Sequence, residues 1–385
     1  MASIIFLTVF SLLYFLANWY LYKKIFISIP NTVPNQWINW LKFGFYFFST
    51  SFIICHIIDK LNVPGLTMFF QYAGSFWFAI LLYGLLFILV FDILGLLQKF
   101  FKIYPEYITK DMVRTNWTVL YSTAIFIFCI ILYGYFNAAK PKVRYLNLEI
   151  TGKKTNLKEL KIALATDIHL GALVNKKKLQ KLVKIMNTWQ PDMVWLAGDI
   201  LDEIHSPIAT YDIGAPLRDL KTKMGVYACT GNHEYIGGIE TAESYIKSLN
   251  IKLLRDSFIT FENGFILAGR EDKESKNFSS VVRKPLNELL SGVDKSLPIF
   301  VMDHQPYHLD SAQQNGVDLQ VSGHTHHGQM WPLNFATKAI YELSHGYLKK
   351  GNTNYYVSNG YGTWGPPVRI GNRPEIVLIT IKFKP

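Results

Sequence analysis

The sequence predicts two dissimilar parts: a membrane region of four helices over residues 1–140, and an α/β domain over residues 141–385. Three observations lead there. The long apolar runs are concentrated in the first third of the chain. From about Arg144 onward, short β-rich apolar runs alternate with helical patterns, which is how α/β domains are written. Several of those later runs end in clusters of Asp, His and Asn, as expected where loops at strand ends build a site on a rigid sheet.

The first part follows from length and hydropathy. Half of the 385 residues are hydrophobic, and a bilayer core needs about 20 residues of apolar helix. Four stretches qualify: Ser3 to Tyr20, Trp37 to Ile58, Met68 to Leu97 and Trp117 to Tyr135. The first does not read as a secretory signal, because no positive residue precedes it and no small-residue cleavage site follows. Trp and Tyr sit near the ends of the runs, where amphipathic rings favour the headgroup region. Asp92 follows enough apolar residues to lie at the interface rather than at mid-membrane. The chain is therefore expected to be a multi-pass integral protein of a bacterial-type plasma membrane, with the lipid bilayer as partner.

Its orientation is read from the lysines. Lys23 and Lys24 after the first run, with Lys99, Lys102, Lys110 and Arg114 between the third and fourth, place those loops in the cytoplasm. Lys140, Lys142 and Arg144 argue the other way, and the balance puts the C-terminal domain outside. The net charge of +11 suits an anionic membrane surface or a phosphorylated substrate. No zinc-knuckle spacing or basic-aromatic module points to nucleic acid. Cys55 and Cys129 lie inside apolar runs and Cys229 in the second part, so no disulfide framework is implied.

The second part reads in order as "LKIALATD", a helical "NKKKLQKLVKIMNTW" and "PDMVWLAGD", then "GVYACTGN", "GFILAGR", "LPIFVMDH", "VDLQVSGH" and "EIVLITIKF". Five of these runs lead into polar clusters. They are Asp167-Ile168-His169; Gly198-Asp199 with Asp202; Gly231-Asn232-His233-Glu234; Asp303-His304; and Gly323-His324-Thr325-His326. Carboxylate, imidazole and amide together suit Mn, Fe or Zn. In extended backbone, residues two apart project the same way, so Asp167 with His169, and His324 with His326, can each converge. The candidate ligands exceed what one ion can use, whereas two divalent ions sharing a bridging carboxylate accommodate them.

The ordered series D-x-H, G-D-x-x-D, G-N-H-E, H and G-H-T-H, running from about Lys161 to Gln329, resembles the calcineurin-like metallophosphoesterase family. The longer forms "GNHEY", "DHQP" and "VDLQVSGHTHHGQ" resemble a branch with N-terminal membrane helices. That branch is associated by similarity with UDP-2,3-diacylglucosamine hydrolase activity in lipid A biosynthesis. The resemblance implies a four-layer α/β/β/α sandwich and hydrolysis of a phosphoester or pyrophosphate. It implies one metal, for example manganese, held by Asp167, His169 and His326, a second held by Asn232, His304 and His324, and Asp199 bridging both. His233 would face the substrate phosphate as proton donor, oriented by Asp202.

This chain departs from the pattern at Glu203, where many members carry Arg, and at His327, where Gly is common. Glu234 reads as structural, His327 as a bystander, and "SNGYGTWGPPVR", ending at Arg369, as an ordinary turn. An amphiphilic, phosphorylated small molecule is the expected substrate. The alternative is a membrane sensor or scaffold that binds a phosphorylated ligand at the metal site without turnover.

Overall fold

The computed structural model describes residues 2–29, 33–203 and 206–385. It forms two compact units, Met1–Tyr135 and Phe136–Pro385.

The first unit is helical: α1 (Ala2–Ile27), α2 (Asn35–Asp59), α3 (Pro64–Phe101), the single turn α4 (Glu106–Thr109) and most of α5 (Met112–Ala138). Pro64 opens α3, where its fixed φ suits the helix and its missing N–H costs nothing. Among the described residues three helices are long and apolar enough to cross a bilayer: Asn35–Asp59, Pro64–Phe101 and Val113–Ala138. The remaining one of the four expected spans falls in α1. The run Ser3 to Tyr20 does form helix, but the side chains at its start lie outside the described residues. Gly74 allows α3 to approach α2, since an added Cβ would lie 2.4 Å from the backbone nitrogen of Phe52. Leu21, Phe45, Trp77, Leu81 and Ile88 form the unit's core. The Asp92 carboxylate accepts from the Tyr20 hydroxyl and the Lys24 ammonium. It is a paired acid.

Among the described residues the second unit holds twelve strands: β1 (Lys142–Thr151), β2 (Glu159–Ala165), β3 (Met193–Ala197), β4 (Val226–Cys229), β5 (Lys252–Leu254), β6 (Ser257–Phe261), β7 (Phe265–Gly269), β8 (Ile299–Met302), β9 (Leu319–Ser322), β10 (Gly346–Lys350), β11 (Thr353–Val357) and β12 (Glu375–Lys384). One six-stranded sheet runs β1-β12-β2-β3-β4-β5 and the other β10-β11-β9-β8-β7-β6. Within them β2 to β5 are mutually parallel, as are β7, β8, β9 and β11.

Alternation along the strands assigns each residue to a layer. In β2, Leu160, Ile162 and Leu164 face the other sheet, where Trp195 packs against Phe300 with Leu267, Met302 and Val321 around them. Ala163 and Ala165 face outward, against Leu179, Leu182, Val183 and Met186 of α6 (Lys176–Trp189). Asn175 caps α6 by accepting from the Lys178 amide at 3.1 Å. On the far side, Ile299 and Val301 of β8 pack under Leu286, Leu289, Leu309 and Ala312 from short helices. The result is the expected α/β/β/α sandwich. Fully burying an aromatic such as Trp195 contributes about 1.5–3 kcal/mol, so the tightly filled space between the sheets fixes their relative position.

Candidate metal centre

All five polar clusters begin at the carboxyl ends of parallel strands. Asp167 and His169 follow β2, Asp199 follows β3, Asn232 and His233 follow β4, His304 follows β8, and His324 and His326 follow β9. Both sheets therefore present chemistry to one place, outside the carboxyl ends of their strands.

The local backbone differs from the expectation of extended segments. Asp167, His169, Asp199, His324 and His326 all adopt positive φ, between 44° and 66°. Left-handed backbone costs a non-glycine residue about 1–3 kcal/mol. Here it is held by hydrogen bonds between loops: the Asp167 amide to the Gly198 carbonyl (3.0 Å), His169 to Asp199 (3.0 Å) and Gly323 to His304 (2.9 Å). The pairs of ligand candidates converge because sharp turns aim them, not because a pleat does. Glycines make the room. An added Cβ at Gly323 would lie 2.2 Å from Asp167 Oδ2, and one at Gly198 would lie 2.4 Å from His304 Nδ1.

The donors form two overlapping groups. His169 Nε2 and His326 Nε2 are 3.0 Å apart, and Asp167 Oδ1 lies 3.4 Å from His326 Nε2. In the second group, Asp199 Oδ2 is 3.0 Å from His304 Nε2, and His324 Nδ1 is 2.8 Å from Asn232 Oδ1. Asp199 Oδ2 also lies 3.8 Å from His169 Nε2, so this carboxylate stands between the groups. Asp167, His169 and His326, and likewise Asp199, His304 and His324, place their ligand atoms within 4.8 Å of one another.

These residues fit cations better than they fit each other. Asp167 Oδ2 and His169 Nδ1 are buried without a hydrogen bond, and such groups cost about 1–3 kcal/mol each if nothing satisfies them. Burial holds His169 and His324 down to about 3, so both rings are neutral and carry a free lone pair at neutral pH. Burial raises Asp167 to about 6, whereas Asp199 is held well below the usual range: its burial is outweighed by the surrounding His304, His233 and His169.

The ring orientations are set from behind. His304 Nδ1 faces the Ala197 carbonyl at 2.9 Å, leaving Nε2 for the centre. Arg369 holds the His326 ring in the opposite sense. It is fully buried, with Nη1 donating to the His326 carbonyl (3.1 Å) and Nη2 to the His326 Nδ1 (2.9 Å) and the Gly362 carbonyl (2.7 Å). A guanidinium has no lone pair, so Nδ1 must accept, and a neutral His326 carries its proton on Nε2, aimed at His169. In that tautomer Nε2 has no free lone pair, so coordination there would require the other neutral tautomer, with the proton on Nδ1. Arg369 therefore corrects the reading of its segment as an ordinary turn: it is a buried cation that fixes the His326 ring from behind.

Glu234 has the structural role expected of it. Its carboxylate accepts from the amides of Asp199 (3.0 Å), Leu201 (2.9 Å) and Gly231 (2.7 Å), tying the Asp199 turn to the start of the helix Asn232–Ile236. His327 lies 3.2 Å from the Ser344 hydroxyl through Nδ1.

His233 stands apart from the ligand groups, edge-on to His169 at 4.5 Å between ring centroids and near Trp364 at 6.3 Å. Its Nδ1 is 2.7 Å from Glu203 Oε2 and 3.5 Å from Asp202 Oδ1. The closer orienter is thus Glu203, a residue the sequence suggested only as a lost arginine. Burial alone would lower His233, but Asp199, Glu203 and Asp202 outweigh it and raise it well above the ordinary value. The ring is an imidazolium at neutral pH.

Comparison with known proteins agrees with this geometry. The family described as calcineurin-like phosphoesterase matches residues 160–328. A Campylobacter jejuni protein named as an uncharacterized metallophosphoesterase is 30% identical over the whole of both chains. The chain belongs to the calcineurin-like metallophosphoesterase family. A Helicobacter pylori metallophosphoesterase is 33% identical, covering 66% of this chain and 69% of its own. A Danio rerio relative, 31% identical over 77% of this chain and 70% of its own, is named as a transmembrane protein with metallophosphoesterase domain. This metallophosphoesterase thus combines, in one chain, apolar helices of spanning length and His/Asp clusters able to bind metals.

Proposed function

We propose that this chain is a membrane-anchored, two-metal hydrolase of a phosphoester or pyrophosphate bond, acting on an amphiphilic substrate. The observation that carries the reading is the convergence of Asp167, His169, Asn232, His304, His324 and His326 around Asp199, with the His233 imidazolium at the edge of the group. Asp167, His169 and His326 would hold one divalent cation, and Asn232, His304 and His324 the other. Asp199 offers one carboxylate to both, having two oxygens to share. The mixed carboxylate, imidazole and amide set suits Mn, Fe or Zn. Two such cations supply Lewis acidity toward phosphoryl oxygens and a water of lowered pKa.

The rest is done by the protein's own groups. Asn232 contributes a neutral oxygen, which keeps negative charge near the attacking oxygen low. His233 donates its proton to the leaving oxygen. Glu203 and Asp202 hold the ring charged and fix it through Nδ1, leaving Nε2 to face the substrate. Confinement by membrane helices favours substrates that concentrate at the bilayer. The acylated nucleotide sugar suggested by the resemblance, UDP-2,3-diacylglucosamine, is a natural first compound to assay.

The test is metal-dependent turnover of bis(p-nitrophenyl) phosphate by the purified full-length protein, stripped with chelator and reloaded. Turnover that returns with the metal supports the hydrolase. Full metal occupancy without turnover of this or any acylated phosphodiester would favour a binding-only sensor.

A further inference from the structure

Beyond the metal centre, the helix Leu333–Ile340 is amphipathic in the wrong sense for packing on its own domain. At about 100° per residue, Leu333, Phe335, Ala336, Ala339 and Ile340 share one arc, and Asn334, Thr337 and Lys338 the other. The apolar arc faces outward: Leu333 is 41% exposed, Phe335 61% and Ile340 60%. Asn334 and Thr337 are the half-covered positions, and no residue of the helix is buried. Trp331, two residues before the helix, and Trp364 are both about half exposed. Gln329 stitches them together, donating to the Trp364 carbonyl at 2.8 Å two residues before Trp331. Trp364 is also the ring beside His233.

The covalent chain says what meets this face. The last candidate span ends at Ala138, and β1 begins at Lys142. Those four steps reach about 14 Å at about 3.3–3.6 Å per residue, so a bilayer is always close to the second unit. Within that unit, Asn137 Nδ2 donates to the carbonyls of Arg369 (2.9 Å) and Asn372 (2.7 Å), and the Trp331 amide donates to Ile370 (2.8 Å). Asn137, five residues before β1, and Trp331, at the start of the outward-facing helix, are thus fastened to one short segment, 369–372. An apolar arc with a tryptophan just before it and a lysine on its border is the composition of a helix lying in a membrane interface.

We propose that Trp331, Leu333, Phe335, Ile340 and Trp364 seat the mouth of the metal centre in the lipid interface, with Lys338 reaching the headgroup phosphates. An amphiphilic phosphoester would then meet His233 without leaving the bilayer. This deepens the hydrolase reading and, for the enzymatic arm of its test, rests on it.

The test uses full-length protein in nanodiscs of phosphatidylcholine and phosphatidylglycerol. Cys129, the exposed native cysteine, is replaced by serine, and an environment-sensitive fluorophore is placed on Phe335→Cys. Asn352→Cys, exposed in the β10–β11 turn, serves as control. The label at 335 is expected to emit at shorter wavelength, to resist aqueous iodide, and to be quenched by lipids carrying a nitroxide just below the headgroup. Behaviour matching the control overturns the proposal. So does protection from iodide without quenching by the lipids, which would mean that a protein surface covers the helix. This readout holds whether or not any phosphoester is turned over, so it fails independently of the hydrolase reading. In a hydrolytically active protein, Leu333→Ser/Phe335→Ser/Ile340→Ser should retain turnover of the aryl phosphodiester in detergent and lose severalfold on an acylated phosphodiester in vesicles. Equal rates on the acylated substrate overturn the docking role.

Discussion

Replacing Glu203 by Gln removes a charge 2.7 Å from His233 Nδ1 while keeping the side chain's length and a hydrogen-bonding oxygen. Asp202, at 3.5 Å, remains as the weaker partner. A hydrogen bond to a charged group is worth about 1.5–3 kcal/mol and one pKa unit is about 1.36 kcal/mol, so His233 should fall by about 1–2 units. The sign follows from its role. The ring must be protonated to serve the leaving oxygen, so activity is present below its raised pKa and is lost as pH rises through it. In the Gln variant the basic limb of the kcat/KM profile should therefore move about 1–2 units toward neutrality, with metal content unchanged. Substrates with an aryl leaving group, which needs little protonation, should show a smaller loss than alkyl ones at high pH. An unmoved basic limb, or a uniform loss at every pH that tracks lost metal, would refute the assignment of Glu203 as the group that keeps His233 charged.

Four further outcomes are expected. Asp199→Asn weakens the carboxylate that stands between the two groups, so metal analysis should find both equivalents reduced. His233→Ala should keep its metals and lose about 10²–10⁴-fold in turnover, the usual contribution of a positioned proton donor; a parallel fall in metal content would make it a ligand instead. In Gly323→Ala the new methyl would lie 2.2 Å from Asp167 Oδ2, so metal loading should drop while far-UV circular dichroism is retained. A membrane-impermeant thiol reagent should label Asn352→Cys on intact cells if the domain lies outside, as the lysine distribution suggests. Labelling only after lysis would place it in the cytoplasm.

Much of this site is written in the sequence because it lies at strand ends. A run such as "LPIFVMDH" announces both the buried β8 and the moment where burial stops and His304 begins. The unbroken apolar run also says that both faces of β8 are covered, Phe300 and Met302 on one side and Ile299 and Val301 on the other, whereas the sandwich itself is implied by the family resemblance. What composition conceals is the backbone that aims the donors. Nothing in D-x-H says that Asp167 and His169 both sit at positive φ, because the hydrogen bonds that hold them come from the next strand's loop. Arg369 was equally hidden. A cation buried beneath His326, 43 residues away in sequence, is fixed by tertiary packing, and its glycine- and proline-rich surroundings read as a turn. Glu203 could have been suspected on charge alone, since a carboxylate beside Asp202 has to face something positive. The helix Leu333–Ile340 carries too short a pattern to show, before the fold is known, which of its faces meets water.

The centre also joins the two sheets. Asp167, His169, Asp199 and Asn232 hang from β2, β3 and β4, while His304, His324 and His326 hang from β8 and β9. Cations held by this set would clasp the two halves of the sandwich at one end, as a rivet does. A ligand that binds only the folded state raises its stability by RT ln(1 + [L]/Kd), about 2.7 kcal/mol when the free metal stands at a hundred times Kd. Metal supply would then govern how long the protein survives as well as how fast it works. Chains emerging in metal-poor cells would expose the open edge of the sandwich to proteases, and their abundance would follow the ion.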